Sequence, residues 1–256
     1  MNNDTRDSLA FLTDPRPSRR ALLQGAGVFG AGLTLARLGL SRPAMAAAAE
    51  TETVQDILNI LATNEAFGVT LVGTVLHSAS KGAYSPVIPD MVLKVLTGVR
   101  AEEQFHLDFL KGAGAKLLTD TFHIPDPKLL TNPTVLFKDL VELEDAAIAA
   151  VMASLPTFAR ERRFDLLKAN AQFATEEAEH RLLANHALGT RPANDHAFAL
   201  ALFATVAEFL AVLKTKGIIG GSGMKVIYPG PGAPIDPTGV IYRTPGGPLV
   251  DCVSAP

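Results

Sequence analysis

Tryptophan is absent from the chain, and cysteine occurs once, at Cys252. A single cysteine excludes a disulfide framework within the chain, and the lack of any CxxC pair excludes zinc-ribbon and thioredoxin chemistry. Tyrosine is nearly as scarce, with Tyr84, Tyr228 and Tyr242 the three present. Charged residues make up 19% of the chain and the net charge is −3, a balance that points to no nucleic-acid partner. What is abundant is apolar: 48% of the 256 residues are hydrophobic, enough for one sizeable core and against intrinsic disorder. No segment beyond the N-terminal one reads as a membrane span, and no repeat of fixed period is present.

The N-terminal 46 residues have their own character. Arg19-Arg20 precede a weakly apolar run from Ala21 to Leu40, diluted by five glycines and interrupted by Gln24 and Arg37. Pro43-Ala44-Met45-Ala46 then supplies a small-x-small cleavage site. This resembles a twin-arginine (Tat) signal peptide over residues 1–46, and implies recognition by the Tat export machinery and a periplasmic, extracellular or cell-envelope location. An uncleaved signal would instead anchor the protein to the membrane. Residues 1–46 hold six basic and three acidic residues, so their removal takes the net charge from −3 to −6. The Tat route carries folded proteins, so a buried metal site could be filled before export.

Beyond residue 46 the chain reads as mainly helical, over 47–216, followed by an irregular Gly/Pro-rich tail over 217–256. Helical periodicity runs from Thr53 to Ala79, from Pro89 to Lys111, from Asn132-Pro133 to Leu155-Pro156, and from about Arg162 to Leu188. A fifth, apolar helix is expected from His196 to Lys216. A long connection fills 115–132. The last 40 residues contain nine glycines and seven prolines, too many for helix. Within them, Lys225 to Tyr228 and Gly239 to Tyr242 read as short strands or straps.

The apolar stripes of the first four helices carry polar residues that do not belong in a core. Glu65 sits four residues after Leu61 and seven before Val72. Glu103 and His106 lie on the stripe formed by Leu96, Val99 and Leu110. Glu144 falls between Leu140 and Ala147, and Glu177 and His180 between Phe173 and Ala184. An i, i+3 Glu/His pair places both side chains on one helix face, one turn apart. Glu102 and Glu176 are rotated by about 100° from their neighbours, and Glu142 points away from its stripe; all three are expected to face outward. Burying even one unpaired carboxylate is costly. Two divalent cations would neutralise four glutamates and leave two neutral imidazoles as ligands. Oxygen and nitrogen donors without thiolate suit iron or manganese, with zinc an alternative.

The segments Ala101-Glu102-Glu103-Gln104-Phe105-His106-Leu107-Asp108-Phe109-Leu110, Leu143-Glu144-Asp145 and Glu176-Glu177-Ala178-Glu179-His180-Arg181 resemble the ferritin-like superfamily. The nearest resemblance is to exported ferritin-like proteins often labelled desiccation-related. It covers residues 54–188. It implies an all-α, up-down four-helix bundle with a long crossover between helices 2 and 3, to which the fifth helix and the tail are additions. The ligand set it implies is the one read above: Glu65, Glu103, His106, Glu144, Glu177 and His180.

Function then divides three ways: a redox enzyme handling iron, oxygen or peroxide, a non-catalytic metal-stapled stress-protection bundle, or an assembly module. Ferroxidase-like and manganese-catalase-like chemistry both fit the ligand set. The expected partners are metal ions and a small inorganic oxidant, and a homo-oligomer is compatible with the apolar fifth helix. All three tyrosines lie outside the ligand-bearing helices, which argues against a tyrosyl radical. Gly68 is expected either to leave space for a small oxidant beside the site or to allow close helix packing. Arg181 and Asn170 are candidate partners of the ligands. His77, His123, His186 and His196 read as surface or capping residues.

Overall fold

Thr53 starts the first helix by a reciprocal cap: its hydroxyl accepts from the Asp56 amide, and the Asp56 carboxylate accepts from the Thr53 amide and hydroxyl. In the computed structural model, which describes residues 52–190 and 199–235, five α-helices follow in order. They are α1 (Val54–Ser80), α2 (Asp90–Gly112), α3 (Pro133–Arg160), α4 (Phe164–Ala187) and α5 (Val206–Thr215). The signal-like segment and Gly239 to Tyr242 lie outside the described residues.

The long helices pack chiefly as two pairs, α1 with α2 and α3 with α4. Ala146, Ala147, Ala149 and Ala150 are all buried on α3. Helix α1 is the most enclosed. Its sequence has the length and apolarity of a membrane span, with a mean hydropathy of 1.2, against the expectation that no such segment follows residue 46. However, 83% of that window is buried within the protein, so its apolarity serves the core. The hydroxyls of Thr63, Thr70 and Thr74 donate to carbonyls one turn back along α1, which satisfies them inside the core.

Three boundaries differ from expectation. Helix α3 does not end at Pro156 but runs on to Arg160. Proline removes one amide bond from the ladder, but Phe158 beyond it is fully buried, and that packing holds the last turn. The fifth helix is ten residues long and begins at Val206, not His196; residues 199–205 are not helical, and His196 lies outside the described residues. Its start is set from far away, since the Glu52 carboxylate accepts from the Val206 amide at 2.9 Å and from the Ala207 amide. A cap supplied across 154 residues leaves no local signal. The connection between α2 and α3 is also not featureless. It holds β1 (Thr121–Ile124), which pairs antiparallel with β2 (Met224–Ile227), and a short 3-10 turn at Pro127–Leu130.

The early part of the tail is strapped to the helices. After β2, residues 229–233 lie across α1 and α2, where Arg100 gathers three carbonyls. Its Nη2 donates to Pro229 at 2.8 Å, Nη1 to Ala233 at 3.0 Å, and Nε to Val69 at 3.2 Å. A Cβ at Gly73 would collide with this guanidinium, and Gly230, at φ +79°, lies against the Thr70 backbone. Tyr228 completes the strap by donating to Gln104 Oε1 at 2.8 Å. Arg100→Met keeps much of the apolar stem but leaves these carbonyls without a donor. We expect it to destabilise the protein by about 2–4 kcal/mol and to expose residues 229–233 to limited proteolysis. Unchanged cleavage at the strap would contradict the role assigned to Arg100.

Candidate metal centre

All six residues singled out from the sequence converge between the four long helices. Glu65 comes from α1, Glu103 and His106 from α2, Glu144 from α3, and Glu177 and His180 from α4. Their donor atoms form two groups, each within 4.8 Å: Glu103, Glu144, Glu177 and His180 in one, and Glu65, His106 and Glu177 in the other. Glu177 belongs to both. Five of the six are buried, and Glu144 is half-buried at one end of the site.

Both imidazoles turn Nδ1 inward. His106 Nδ1 lies 3.2 Å from Glu65 Oε2 and 3.4 Å from Glu177 Oε1. His180 Nδ1 lies 3.2 Å from Glu177 Oε2 and 3.3 Å from Glu103 Oε1. The two oxygens of Glu177 thus face one imidazole each.

The outward Nε2 atoms reveal two residues that stripe phasing misplaced. Glu176 and Glu102, expected to face outward, are half-buried and bonded to the histidines. Glu176 Oε2 lies 2.7 Å from His106 Nε2, and Glu102 Oε2 lies 2.8 Å from His180 Nε2. The arrangement is crossed: the glutamate before each pair on one helix holds the histidine of the other. A rotation of about 100° moves a side chain to the flank of the facing helix, not to solvent. The sequence signal was the doubled pattern Glu-Glu-x-x-His, present on both α2 and α4. With its Nε2 proton engaged by a carboxylate, a neutral imidazole keeps its Nδ1 lone pair for the interior.

Other expectations resolve as follows. The space beside Gly68 is not open, because a Cβ there would fall on the Glu103 carboxylate. Gly68 therefore lets Glu103 reach the site, and an oxidant channel at that point is ruled out by the occupant. Arg181 pairs with Asp145 at 2.6 Å and not with a glutamate, which braces α4 against α3 beside the site. Asn170 is buried and donates to the Leu166 carbonyl, one turn back on its own helix. Glu142 pairs with Lys216 at 3.3 Å, away from the centre. His77 and His186 are exposed as expected, whereas His123 is half-buried in β1. Phe173 packs on the His106 ring, with centroids 4.2 Å apart, and closes that side with an apolar wall.

The electrostatics are those of a site short of positive charge. Burial, then the Glu177 charge, raises the Glu65 carboxyl above its ordinary value, and the same causes raise Glu103 and Glu144 further. Burial works against charging either imidazole, but bonds to Glu176, Glu177 and Glu65 lift His106 well above the usual range, and those to Glu102, Glu103 and Glu177 lift His180 likewise. Burial opposes the charge on Glu177 too, yet its two histidine partners hold it well below the usual carboxylate range. Glu177 Oε1 is buried and makes no well-aligned hydrogen bond among the described residues; it meets His106 Nδ1 in an ion-pair contact at 3.4 Å. This under-satisfied anionic oxygen, further carboxylates and two inward Nδ1 atoms form a donor set suited to cations. These buried groups can hold a metal ion.

Two predictions follow from the protons. Groups raised above 4.5 and 6.5 hold extra protons in the folded metal-free state, so its stability falls as pH rises through those raised values. A metal expels the same protons, so its affinity rises with pH. Between about pH 6 and about pH 9, chelator-treated protein should lose melting temperature while metal-loaded protein does not. A gap that stays constant across that range would contradict the assignment. Separately, Gly68→Ala should displace Glu103 and lower the bound metal per chain, measured by elemental analysis, whereas Glu142→Ala should leave it unchanged.

No protein-family model matches the chain, and no curated protein or solved structure matches it.

Proposed function

We propose that the protein is an exported dinuclear metal protein of ferritin-like type, working in iron, oxygen or peroxide redox chemistry. The observation that carries this reading is the pair of donor clusters sharing Glu177. Glu65 and His106 would hold one ion and Glu144 and His180 the other, with Glu177 within reach of both and Glu103 grouped beside His180. The donor order along the helices matches that of di-iron and di-manganese carboxylate bundles. Bound iron or manganese would supply one-electron redox steps that no side chain here can supply.

The chain's own contribution is orientation and proton handling. Glu102 and Glu176 fix the imidazole rings. Burial and the neighbouring Glu177 raise the carboxyls of Glu65, Glu103 and Glu144, so cations entering the site would compete with protons there. Phe173, packed on the His106 ring, shields that side from water. The export half of the reading rests on Arg19-Arg20 and the apolar run after them, which lie outside the described residues.

A second reading, a metal-stapled stress-protection bundle without turnover, is favoured by the near-complete burial of Glu65, His106 and Glu177. The two separate in one experiment. Purified full-length chain should bind about two iron or manganese ions, and the loaded protein should change its optical spectrum with oxygen or hydrogen peroxide. The double substitution His106→Ala with His180→Ala should abolish that change while retaining the helical circular dichroism. Two ions without any response to either oxidant would support the staple. Less than one ion, with no thermal response to iron or manganese, would overturn both.

A further inference from the structure

At the Glu144 and His180 end of the site the structure has a cavity of about 200 Å³. Its walls come from three helices and the facing surface of α4: Val72 on α1, Val95, Leu96 and Val99 on α2, Leu140 on α3 and Ala184 on α4. Its rim reaches the surface at Met91, 70% exposed, and Leu183, 37% exposed. Apart from exposed His186 at the rim, Glu144 and His180 are its polar lining residues. The cavity therefore begins at solvent, is apolar along its length, and ends on two donors of the metal centre.

Such a shape selects its occupant. Water needs two to four polar partners to be held in a cavity, and between His186 at the rim and Glu144 and His180 the lining side chains offer none. A dry apolar cavity of about 150 Å³ accepts benzene, so this one has room for a somewhat larger guest. A polar oxidant gains nothing from valine and leucine walls, whereas an apolar molecule exchanges water for them along its whole length. The exposed apolar residues at the rim are consistent with entry from solvent.

We infer that this cavity binds a small apolar organic molecule, an alkylbenzene or an aliphatic chain of similar bulk, with its inner end against Glu144 and His180. The binding itself stands on the cavity. That the bound end meets a metal rests on the function proposed above.

Ethylbenzene and full-length protein test both parts separately. Calorimetric titration should give saturable one-to-one binding to metal-free and to zinc-loaded protein. Intermolecular NOEs should run from ethylbenzene to Val95 and Leu140. Manganese(II)-loaded protein should broaden the ethylbenzene resonances far more than zinc-loaded protein does. Val95→Phe and Ala184→Phe, each filling the cavity from a different helix, should weaken binding at least tenfold at unchanged metal content. Metal content measured in the same samples keeps the two readings apart: binding with NOEs in protein that retains no metal supports the cavity and overturns the dinuclear centre. The inference is overturned by the lack of saturable binding, by equal affinity in a folded Phe variant, or by NOEs to other residues. It is also overturned if sedimentation gives a dimer that Met91→Lys dissociates while ethylbenzene does not bind, since a second copy of the chain would then cover the mouth.

Discussion

Four carboxylates drawn into the interior of a helical protein repel one another and resist burial, and the rest of this structure is arranged around that constraint. Part of the answer lies in the protein. Glu177 stays ionised because an imidazole faces each of its oxygens, and both imidazoles are tied from behind by Glu102 and Glu176. The remaining repulsion, with burial, raises the carboxyls of Glu65, Glu103 and Glu144 above their ordinary values.

The same constraint shapes the contact between α1 and α2. Two polar side chains of α2 point at α1, and each meets a glycine: Glu103 at Gly68 and Arg100 at Gly73. A methyl group at either position would push a charged group out of place. Glycine within a helix costs about 1 kcal/mol relative to alanine, and here the clearance it provides places both Glu103 and the arginine that anchors the C-terminal strap. The site and the strap are thus built on one helix interface, one turn of α2 apart.

The two ends of the centre differ. Near His106 the site is closed by Phe173 and complete burial, while near His180 it adjoins the apolar cavity and keeps Glu144 half-exposed. The His180 end is thus bordered by apolar cavity walls, and the His106 end is enclosed by packed side chains.

The sequence by itself determined the four long helices and the convergence of Glu65, Glu103, His106, Glu144, Glu177 and His180 between them, because both follow from period. A carboxylate or imidazole at a stripe position is forced inward by its apolar neighbours, whatever the tertiary detail. Three outcomes were beyond its reach. Whether a residue 100° off the stripe meets solvent or a neighbouring helix depends on the packing of that helix, and so Glu102 and Glu176 were misplaced. The start of α5 depends on Glu52, which lies nowhere near it in sequence. Whether Gly68 leaves a hole or receives a side chain depends on what α2 places opposite. Periodicity reports which face of a helix is inward; what that face touches was decided by the distances between helices, which local sequence does not encode.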